Sequence, residues 1–296
     1  ARLTEIFENP SLQMVTFTIT EKGYSLVNGK GEKLPGVEDG FLAGPGNQSH
    51  LMGRIASLCY ARFVKNGTPL ALVSTDNCSH NGDKLKAGVM AYVDAWKQAG
   101  KVDDDFVSYM EEKVSFPWSM IDKITPRPDE KVKEMLEKDG FEDTDLIITS
   151  RNTYTAPFVN SEETGYLVIE DNFPNGRPPL EKAGIVFTDR ETVDKVEKMK
   201  VCTCLNPLHT ALAIYGCMLG HTSIHDEMED KELSQLIQKM CYEEAMSVVV
   251  NPGVIDPKEF ANAVLTKRLP NPFMPDTPQR IACDTSQKLP IRFGET

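Results

Sequence analysis

The chain has 296 residues, with 32 Lys and Arg against 44 Asp and Glu, and its formal net charge at pH 7 is −12. A surface with this excess of acidic groups repels phosphate backbones, which excludes general nucleic-acid binding. Because 40% of the residues are apolar and 26% are charged, the chain can bury a large core, which excludes disorder as its main state. Its length predicts two domains.

The apolar segments give no sign of a membrane span or a secretory signal. The longest apolar-leaning run, residues 211–220, has about half of the roughly 20 residues that a membrane helix needs. The first residues, ARLTEIFENP, contain no apolar core and no small-residue cleavage site. The seven Cys include no CxxC pair, which favours reduced thiols. We therefore predict a cytoplasmic protein that binds neither nucleic acid nor membrane.

The first part of the chain alternates between strand and helix patterns. β-Branched and aromatic residues predict a strand at Met14–Ile19, and apolar residues at helical spacing predict a helix at Ser49–Val64. A second strand is predicted at Leu70–Ser74, followed by a turn-rich loop and a helix at Lys84–Gln98. This order predicts an α/β fold with a parallel sheet, in which loops at the carboxyl ends of the strands bind ligands.

The later part of the chain becomes helical after a proline-rich region, residues 113–192, that contains short β-like pieces. Helical periodicity then covers three stretches, Thr192–Gly220, Lys231–Val250 and Pro257–Lys267. We therefore predict part of a Rossmann-type α/β domain at residues 1–191 and a mainly α-helical domain at residues 192–296. No G-x-G-x-x-G turn follows a predicted strand, so no residue of a nucleotide-binding turn can be named.

Polar residues that are suited to chemistry occur first in two segments of the α/β part. Asp76, Asn77 and Asn81 follow the strand Leu70–Ser74, at the sheet edge where open α/β folds bind ligands. The alternative is that they form turns and cap the next helix. Asp122 stands in the apolar run MIDKI, where a buried charge needs a partner or a ligand. Its alternative position is the exposed face of an edge strand.

A third segment combines Lys200, Asn206 and His209. Asn206 and His209 are three residues apart, so on a helix they lie on one face, about 60° apart. A lysine buried beside them has a lowered pKa and can act as a general base. The alternative is a core histidine and a surface lysine. Cys202 and Cys204 are about 200° apart on a helix and therefore do not predict a zinc site with His209.

The fourth segment, RIACDTSQKL, places Arg280 and Lys288 eight residues apart. On a helix they are separated by about 80°, so they can converge on one anionic or polyhydroxy ligand. Two ordinary solvated charges would have the same spacing.

Six blocks of the sequence resemble the polyol-specific long-chain dehydrogenases, the family of mannitol 2-dehydrogenase and fructuronate (D-mannonate) reductase. The blocks lie in order between about residue 11 and residue 293 and read TITEKGY, S-x-DN…NGD, MIDKITP, VIEDNFPNGRPPLEKAG, LNPLHTALA and RIACDTSQKL. The resemblance implies a metal-independent, NAD-linked oxidoreductase that interconverts a sugar alcohol or aldonate with its ketose or ketouronate. Members of the family begin with the Gly-rich turn, so the chain is expected to lack flanking parts.

The resemblance also implies roles for single residues. Lys200 would be the general acid and base, and Asn77 and Asn206 would stabilise the developing alkoxide. His209 would bind a neighbouring hydroxyl, and Glu197 would relay the proton to solvent. The remaining implied contacts are Arg280, Lys288 and Asn81 for the substrate, and Asp122 and Asp76 for the cofactor.

The chain departs from the family in the spacing of one motif. The family pattern places the asparagine five positions after the lysine, whereas Asn206 is six positions after Lys200. On an ideal helix the extra residue swings Lys200 by about 100°, and Lys198 would lie within about 20° of His209. The Glu197-x-x-Lys200 pattern still favours Lys200, provided that a π-turn absorbs the extra residue. Lys198 is the second candidate for the base.

Other functions stay open at this stage. Arg280 and Lys288 suit a carboxylate and favour D-mannonate and D-fructuronate, but an enzyme for mannitol and fructose carries the same pair. A non-catalytic module that binds sugar acids is the alternative from another class, because the Gly-rich turn is missing. The sequence does not distinguish NAD from NADP, or a monomer from a homodimer.

Overall fold

The computed structural model describes residues 2–123, 128–163, 165–274 and 276–294. The chain forms two compact units, each from two stretches of sequence. Unit 1 comprises Ala1–Ile121 and Tyr166–Asp194, and unit 2 comprises Asp122–Gly165 and Lys195–Thr296. The domain division at residue 192 stays a prediction. The two units divide the chain differently, since residues 122–165 lie before residue 192 and belong to unit 2.

The strands are β1 (Met14–Phe17), β2 (Leu70–Ser74), β3 (Val114–Ser115), β4 (Ser119–Asp122), β5 (Ile147–Ile148), β6 (Tyr154–Thr155), β7 (Tyr166–Glu170) and β8 (Val186–Thr188). The α-helices are α1 (Arg2–Phe7), α2 (Val37–Ala43), α3 (Leu51–Lys65), α4 (Asn81–Gln98), α5 (Asp104–Glu112), α6 (Glu130–Lys138), α7 (Arg190–Lys198), α8 (Asn206–Leu219), α9 (Ile224–Glu229), α10 (Lys231–Lys239), α11 (Met246–Val248), α12 (Pro257–Ala263), α13 (Pro278–Ala282) and α14 (Thr285–Phe293). The π-helical stretches are Met199–Cys204, Met240–Ala245 and Val264–Arg268, and the 3-10 turns are Glu21–Tyr24 and Leu180–Ala183.

Unit 1 is built on parallel strands. β2 lies between β1 and β3 and is parallel to both, with Val15 opposite Leu72 and Leu70 opposite Val114. Every residue of β2 is buried, as expected for the central strand of a parallel sheet with both faces covered. A further sheet has the order β4-β7-β8, in which β7 and β8 are parallel. The predicted α/β fold with a parallel sheet is confirmed.

Unit 2 is mainly helical, as predicted. Its core is formed by apolar residues of α8, α10, α12 and the π-helical stretches, among them Leu208, Leu212, Ile237, Cys241 and Val264. β5 and β6 add a short antiparallel hairpin. Helix α6 was not predicted, although Asp129 caps it by accepting hydrogen bonds from the backbone N–H groups of Lys131 and Val132.

The helical stretch Arg190–Leu219 joins α7 to α8 through the π-helical stretch between them. Its length and composition would allow it to cross a membrane, but 61% of its apolar window is buried inside the protein. Burial of this kind is typical of a core helix. The helix predicted at Thr192–Gly220 is therefore present, with one interruption near its middle.

Candidate active site

The π-helical stretch Met199–Cys204 decides which lysine is buried. The backbone N–H of Leu205 donates to the carbonyl of Lys200, five residues back, at 3.1 Å, so the turn holds one residue more than an α-turn. Pro207 follows in the first turn of α8 and has no N–H with which to continue the preceding helix. As a result Lys200 is only 2% exposed, whereas Lys198 is exposed. The predicted π-turn is confirmed, and the identity of the base stays a prediction.

Lys200 belongs to a group of four buried charges in unit 2, which we call the buried ion cluster: Lys200, Asp122, Arg268 and Glu162. Nζ of Lys200 lies 3.0 Å from Oδ1 of Asp122. Nη1 of Arg268 lies 2.7 Å from each oxygen of the same carboxylate, and Nε of Arg268 lies 3.4 Å from Oε2 of Glu162. Cations and anions therefore alternate, which offsets part of the cost of burying them.

The cluster sets the proton affinity of Lys200. Burial lowers the pKa of the lysine, the carboxylate of Asp122 opposes this, and the charge of Arg268 lowers the pKa further. Burial alone would raise the pKa of Asp122, but the charges of Lys200 and Arg268 outweigh burial, so the pKa lies below its usual value. Asp122 is thus an ionised, 2% exposed partner of the lysine, and its alternative position on an exposed strand face is wrong. A lowered pKa favours the neutral amine of a lysine, which is the form that can accept a proton from a substrate.

Asn206 and His209 lie in the first turn of α8, three residues apart as predicted, and Asn206 is half-buried. Nε2 of His209 lies 3.4 Å from Oδ2 of Asp276. Burial lowers the pKa of His209 to about 3, and the charges of Arg268 and Arg292 act in the same direction. The imidazole is therefore neutral at physiological pH. It contacts Asp276 through a polar contact that is longer than an ordinary hydrogen bond.

Arg280 and Lys288 do not share a helix, so the predicted single-helix geometry is wrong. α13 ends at Ala282 and α14 begins at Thr285. Asp284, between them, adopts a left-handed backbone conformation with φ of 57°. Nζ of Lys288 donates to the carbonyl of Ile281 at 2.8 Å and to that of Cys283. Lys288 thereby satisfies carbonyl groups at the end of α13, and its role in substrate binding stays a prediction.

Arg280 belongs to the first of these helices, α13, and its side chain is 69% exposed. Its guanidinium pairs with the carboxylate of Asp276, four residues earlier. The predicted contact of Arg280 with substrate is untested.

The residues predicted after β2 lie in unit 1, and two of them serve the fold. Asp76 accepts hydrogen bonds from the backbone N–H groups of Ile19 and Thr20 at 2.8 Å each and from the hydroxyl of Tyr24. These contacts hold the segment after β1, and the proposed contact of Asp76 with a cofactor gains no support from them.

Asn81 is 0% exposed. Its amide donates to Ser119 Oγ at 2.9 Å and to the carbonyl of Asp76 at 3.0 Å, and it accepts from the N–H of Ser119 at 3.0 Å. The structure therefore favours the turn-forming alternative for Asp76 and Asn81, whose predicted ligand contacts lack support. Asn77 is exposed, and Glu197 on α7 is half-buried, so both remain candidates for the roles that the resemblance implies.

Three residues of the site were not found from the sequence: Arg268, Glu162 and Asp276. Each lies in a segment whose residue pattern gives no sign of burial. Arg268 is 146 residues from its partner Asp122, so no local pattern links the two. The rest of the MIDKITP block, residues 124–126, lies outside the described residues.

The possible metal ligands within the described ranges do not coincide with the predicted site. His225, Asp226 and Glu229 of α9 bring ligand atoms within 4.8 Å of one another. Both carboxylates are exposed, and Nδ1 of His225 lies 2.7 Å from the carbonyl oxygen of Pro270. An exposed group of this kind is common on protein surfaces and carries no assignment.

Comparison with known proteins identifies the family. The family model for the mannitol dehydrogenase Rossmann domain matches residues 1–182, and that for the mannitol dehydrogenase C-terminal domain matches residues 192–295. D-mannonate oxidoreductase of Thermotoga maritima is 55% identical over 297 residues, which cover 100% of this chain and 55% of that protein. The chain thus spans about half the length of the curated relatives it matches.

Two solved structures have the same fold. A D-sorbitol dehydrogenase in substrate-free form superposes with a TM-score of 0.84 at 25% identity, covering 99% of this chain and 57% of that one. The ternary complex of Pseudomonas fluorescens mannitol 2-dehydrogenase with NAD and D-mannitol superposes with a TM-score of 0.71 at 26% identity, covering 98% of this chain and 55% of the other. With its Rossmann and helical C-terminal parts, the chain belongs to the mannitol dehydrogenase family.

Proposed function

We propose that this chain is part of an NAD-dependent oxidoreductase that interconverts a sugar acid with its keto form, with D-mannonate and D-fructuronate as the favoured pair. The 55% identity to a D-mannonate oxidoreductase supports this substrate class. The observation that carries the chemistry is Lys200, which is buried and has a lowered pKa. We place the reaction in the cytoplasm, which suits the free thiols of the chain.

The chemical demands on the protein are limited. The nicotinamide exchanges a hydride with the substrate carbon, which leaves the hydroxyl proton for the protein to handle. The parallel sheet of unit 1, with polar residues at the carboxyl end of β2, fits the type of sheet that binds dinucleotides. The carboxylates of Asp76 and Asp122 already have protein partners, so their contact with the cofactor is the weaker part of the proposal.

Lys200 takes the hydroxyl proton in oxidation and returns it in reduction. Its lowered pKa favours the neutral amine, the form that a general base requires. The amide of Asn206, at the start of α8, donates to the developing alkoxide, and the resemblance assigns the same role to Asn77 in unit 1. Glu197, three residues before Lys200, passes the proton on to solvent.

The substrate carboxylate is the group that we assign to Arg280 and Lys288. Mannitol and fructose are the second candidate pair, because the family also includes mannitol 2-dehydrogenase and a neutral polyol can use the same two side chains.

The test is an assay of the full-length gene product for NADH oxidation with D-fructuronate, D-tagaturonate and D-fructose in parallel. D-Fructuronate should give the highest kcat/KM, and both uronates should exceed D-fructose by at least tenfold, because only a uronate pairs its charge with both cations. A preference for fructose would replace the proposed substrate by mannitol. Sugar-acid binding without any turnover, in a preparation with NADH, would leave the non-catalytic module as the function.

A further inference from the structure

Asp276 connects two side chains that the proposed function uses. One carboxylate oxygen, Oδ2, lies 3.4 Å from Nε2 of His209, and the other pairs with the guanidinium of Arg280. Two hydrogen bonds also hold the backbone of Asp276. Its carbonyl accepts from the N–H of Ile224 at 3.1 Å, and its N–H donates to the carbonyl of Met274 at 2.8 Å. With a side chain only 13% exposed, the carboxylate has a fixed position.

His209 carries one ring proton, because burial and nearby cations keep the imidazole neutral. Either nitrogen can hold this proton, and the surroundings decide which one does. Nε2 is buried, and among the described residues it has no well-aligned hydrogen bond. The acidic group beside Nε2 is the carboxylate of Asp276, which accepts hydrogen bonds and pairs with the guanidinium of Arg280.

The electrostatics favour one of the two tautomers. With the proton on Nε2, the N–H dipole points at the anionic oxygen and is attracted to it. With the proton on Nδ1, the lone pair of Nε2 faces the same oxygen and is repelled. In a buried site, where the dielectric constant is low, a carboxylate at 3.4 Å makes this difference large.

We propose that Asp276 is a positioning residue that fixes His209 in the Nε2–H tautomer, so that Nδ1 accepts a hydrogen bond from a substrate hydroxyl. This inference rests on the proposed function only in one respect, namely that the group donating to Nδ1 is a hydroxyl of the substrate. It makes His209 an acceptor for an alcohol O–H group next to the reacting carbon. A carbonyl oxygen at that position would find no donor on Nδ1, so the tautomer selects the oxidation state of the neighbouring carbon.

The test is a tautomer measurement on the full-length protein with 15N-labelled histidine. Two-bond and three-bond 15N–1H correlations distinguish Nε2–H from Nδ1–H, and the spectrum of His209→Asn assigns the signal. The wild-type protein should show Nε2–H at His209. In Asp276→Asn the carboxamide can donate to Nε2, and the tautomer should shift towards Nδ1–H. The matched control is Asp284→Asn, which removes an exposed negative charge eight residues later in the chain and should leave the tautomer unchanged.

Activity gives a second measurement. Asp276→Asn should lower kcat/KM by on the order of 10²-fold, because the substrate hydroxyl meets a donor instead of an acceptor. The pH dependence of the rate should not move, because Lys200 is untouched. Asp276→Glu, which keeps the carboxylate, should recover part of the rate.

An Nδ1–H signal in the wild-type protein would overturn the inference, as would an unchanged tautomer in a folded Asp276→Asn variant. If that variant does not fold, the wild-type signal still decides. If the wild-type protein shows no oxidoreductase activity, the proposed function fails, but the tautomer measurement stands independently of it.

Discussion

Replacement of Glu227 by Gln should stabilise the protein at neutral pH. Glu227 lies on α9 and is 0% exposed, and neither carboxylate oxygen has a hydrogen-bond partner among the residues that the structure describes. The carboxyl group packs against Gly216 of α8, at a place where any larger residue would collide with it. Burial raises the pKa of Glu227 to about 8, and the charge of Asp226 adds to this effect.

The size of the stabilisation follows from the difference between the pKa values of Glu227 in the folded and unfolded states. At pH 7 the carboxyl is ionised in the unfolded chain, where its pKa is 4.5, and protonated in the folded protein. Taking up this proton costs about 3 kcal/mol at pH 7. Because the folded-state pKa is the higher one, the folded protein loses stability as the pH rises from 4.5 to about 8. A glutamine does not titrate, so the advantage of Glu227→Gln should grow over the same range.

The assay is denaturant-induced unfolding of the full-length wild type and variant at pH 5, 6, 7 and 8. The matched control is Glu229→Gln on the same helix. The side chain of Glu229 is 71% exposed, so this substitution should change the free energy of unfolding by less than about 0.5 kcal/mol at each pH. A difference between wild type and Glu227→Gln that does not vary with pH would refute the reasoning. A less stable variant at pH 8 would also refute it.

Three further predictions concern the chemistry. Lys200→Ala should abolish turnover and be partly rescued by small external amines, whereas Lys198→Ala should keep most activity, because the side chain of Lys198 is exposed. Loss of kcat in Lys198→Ala but not in Lys200→Ala would make Lys198 the base. Asn206→Ala should lower kcat by about 10²–10³-fold with little change in KM if the amide stabilises an alkoxide, so a fall in melting temperature without a fall in kcat would argue against this role. Prolonged treatment with EDTA should leave the rate unchanged, and a loss that zinc restores would contradict a lysine mechanism.

The elements that were predicted well are those in which a local pattern decides the structure. β2 is a short apolar run that is buried along its whole length, and α3 repeats apolar residues at helical spacing. The π-turn at Met199–Cys204 was also predictable from the family resemblance. Lys200 and Asn206 are one residue further apart than in the family pattern, and a continuous α-helix cannot absorb the extra residue.

The break between α13 and α14 could not be predicted in the same way. Asp284 takes up the left-handed conformation there, and neither glycine nor proline marks the position. Aspartate tolerates this conformation better than most residues but does not require it. Helix α6 shows the opposite case, since its capping residue Asp129 was present in the sequence while the surrounding prolines favoured short strands.

The partners of the candidate base depend on the tertiary fold and have no local signal. Asp122 ends β4, Arg268 ends a π-helical stretch, and Lys200 lies in another such stretch, so the three meet only after the chain has folded. The sequence could single out Asp122 because a charge in an apolar run is unusual. It could not single out Arg268, which is one of 32 basic residues and has no distinguishing neighbour.

The composition of the buried ion cluster explains how one lysine can be both buried and reactive. Asp122 alone would hold the proton on Lys200, because an isolated carboxylate at 3.0 Å favours the charged ammonium. Arg268 competes for the same carboxylate and repels the ammonium, and Glu162 offsets the charge of Arg268 on its other side. Burial, together with the charge of Arg268, outweighs the two carboxylates and leaves the pKa of Lys200 below its ordinary value. Loss of Arg268 should therefore raise the proton affinity of Lys200, because Arg268 pairs with both acids of the cluster and its charge disfavours the ammonium.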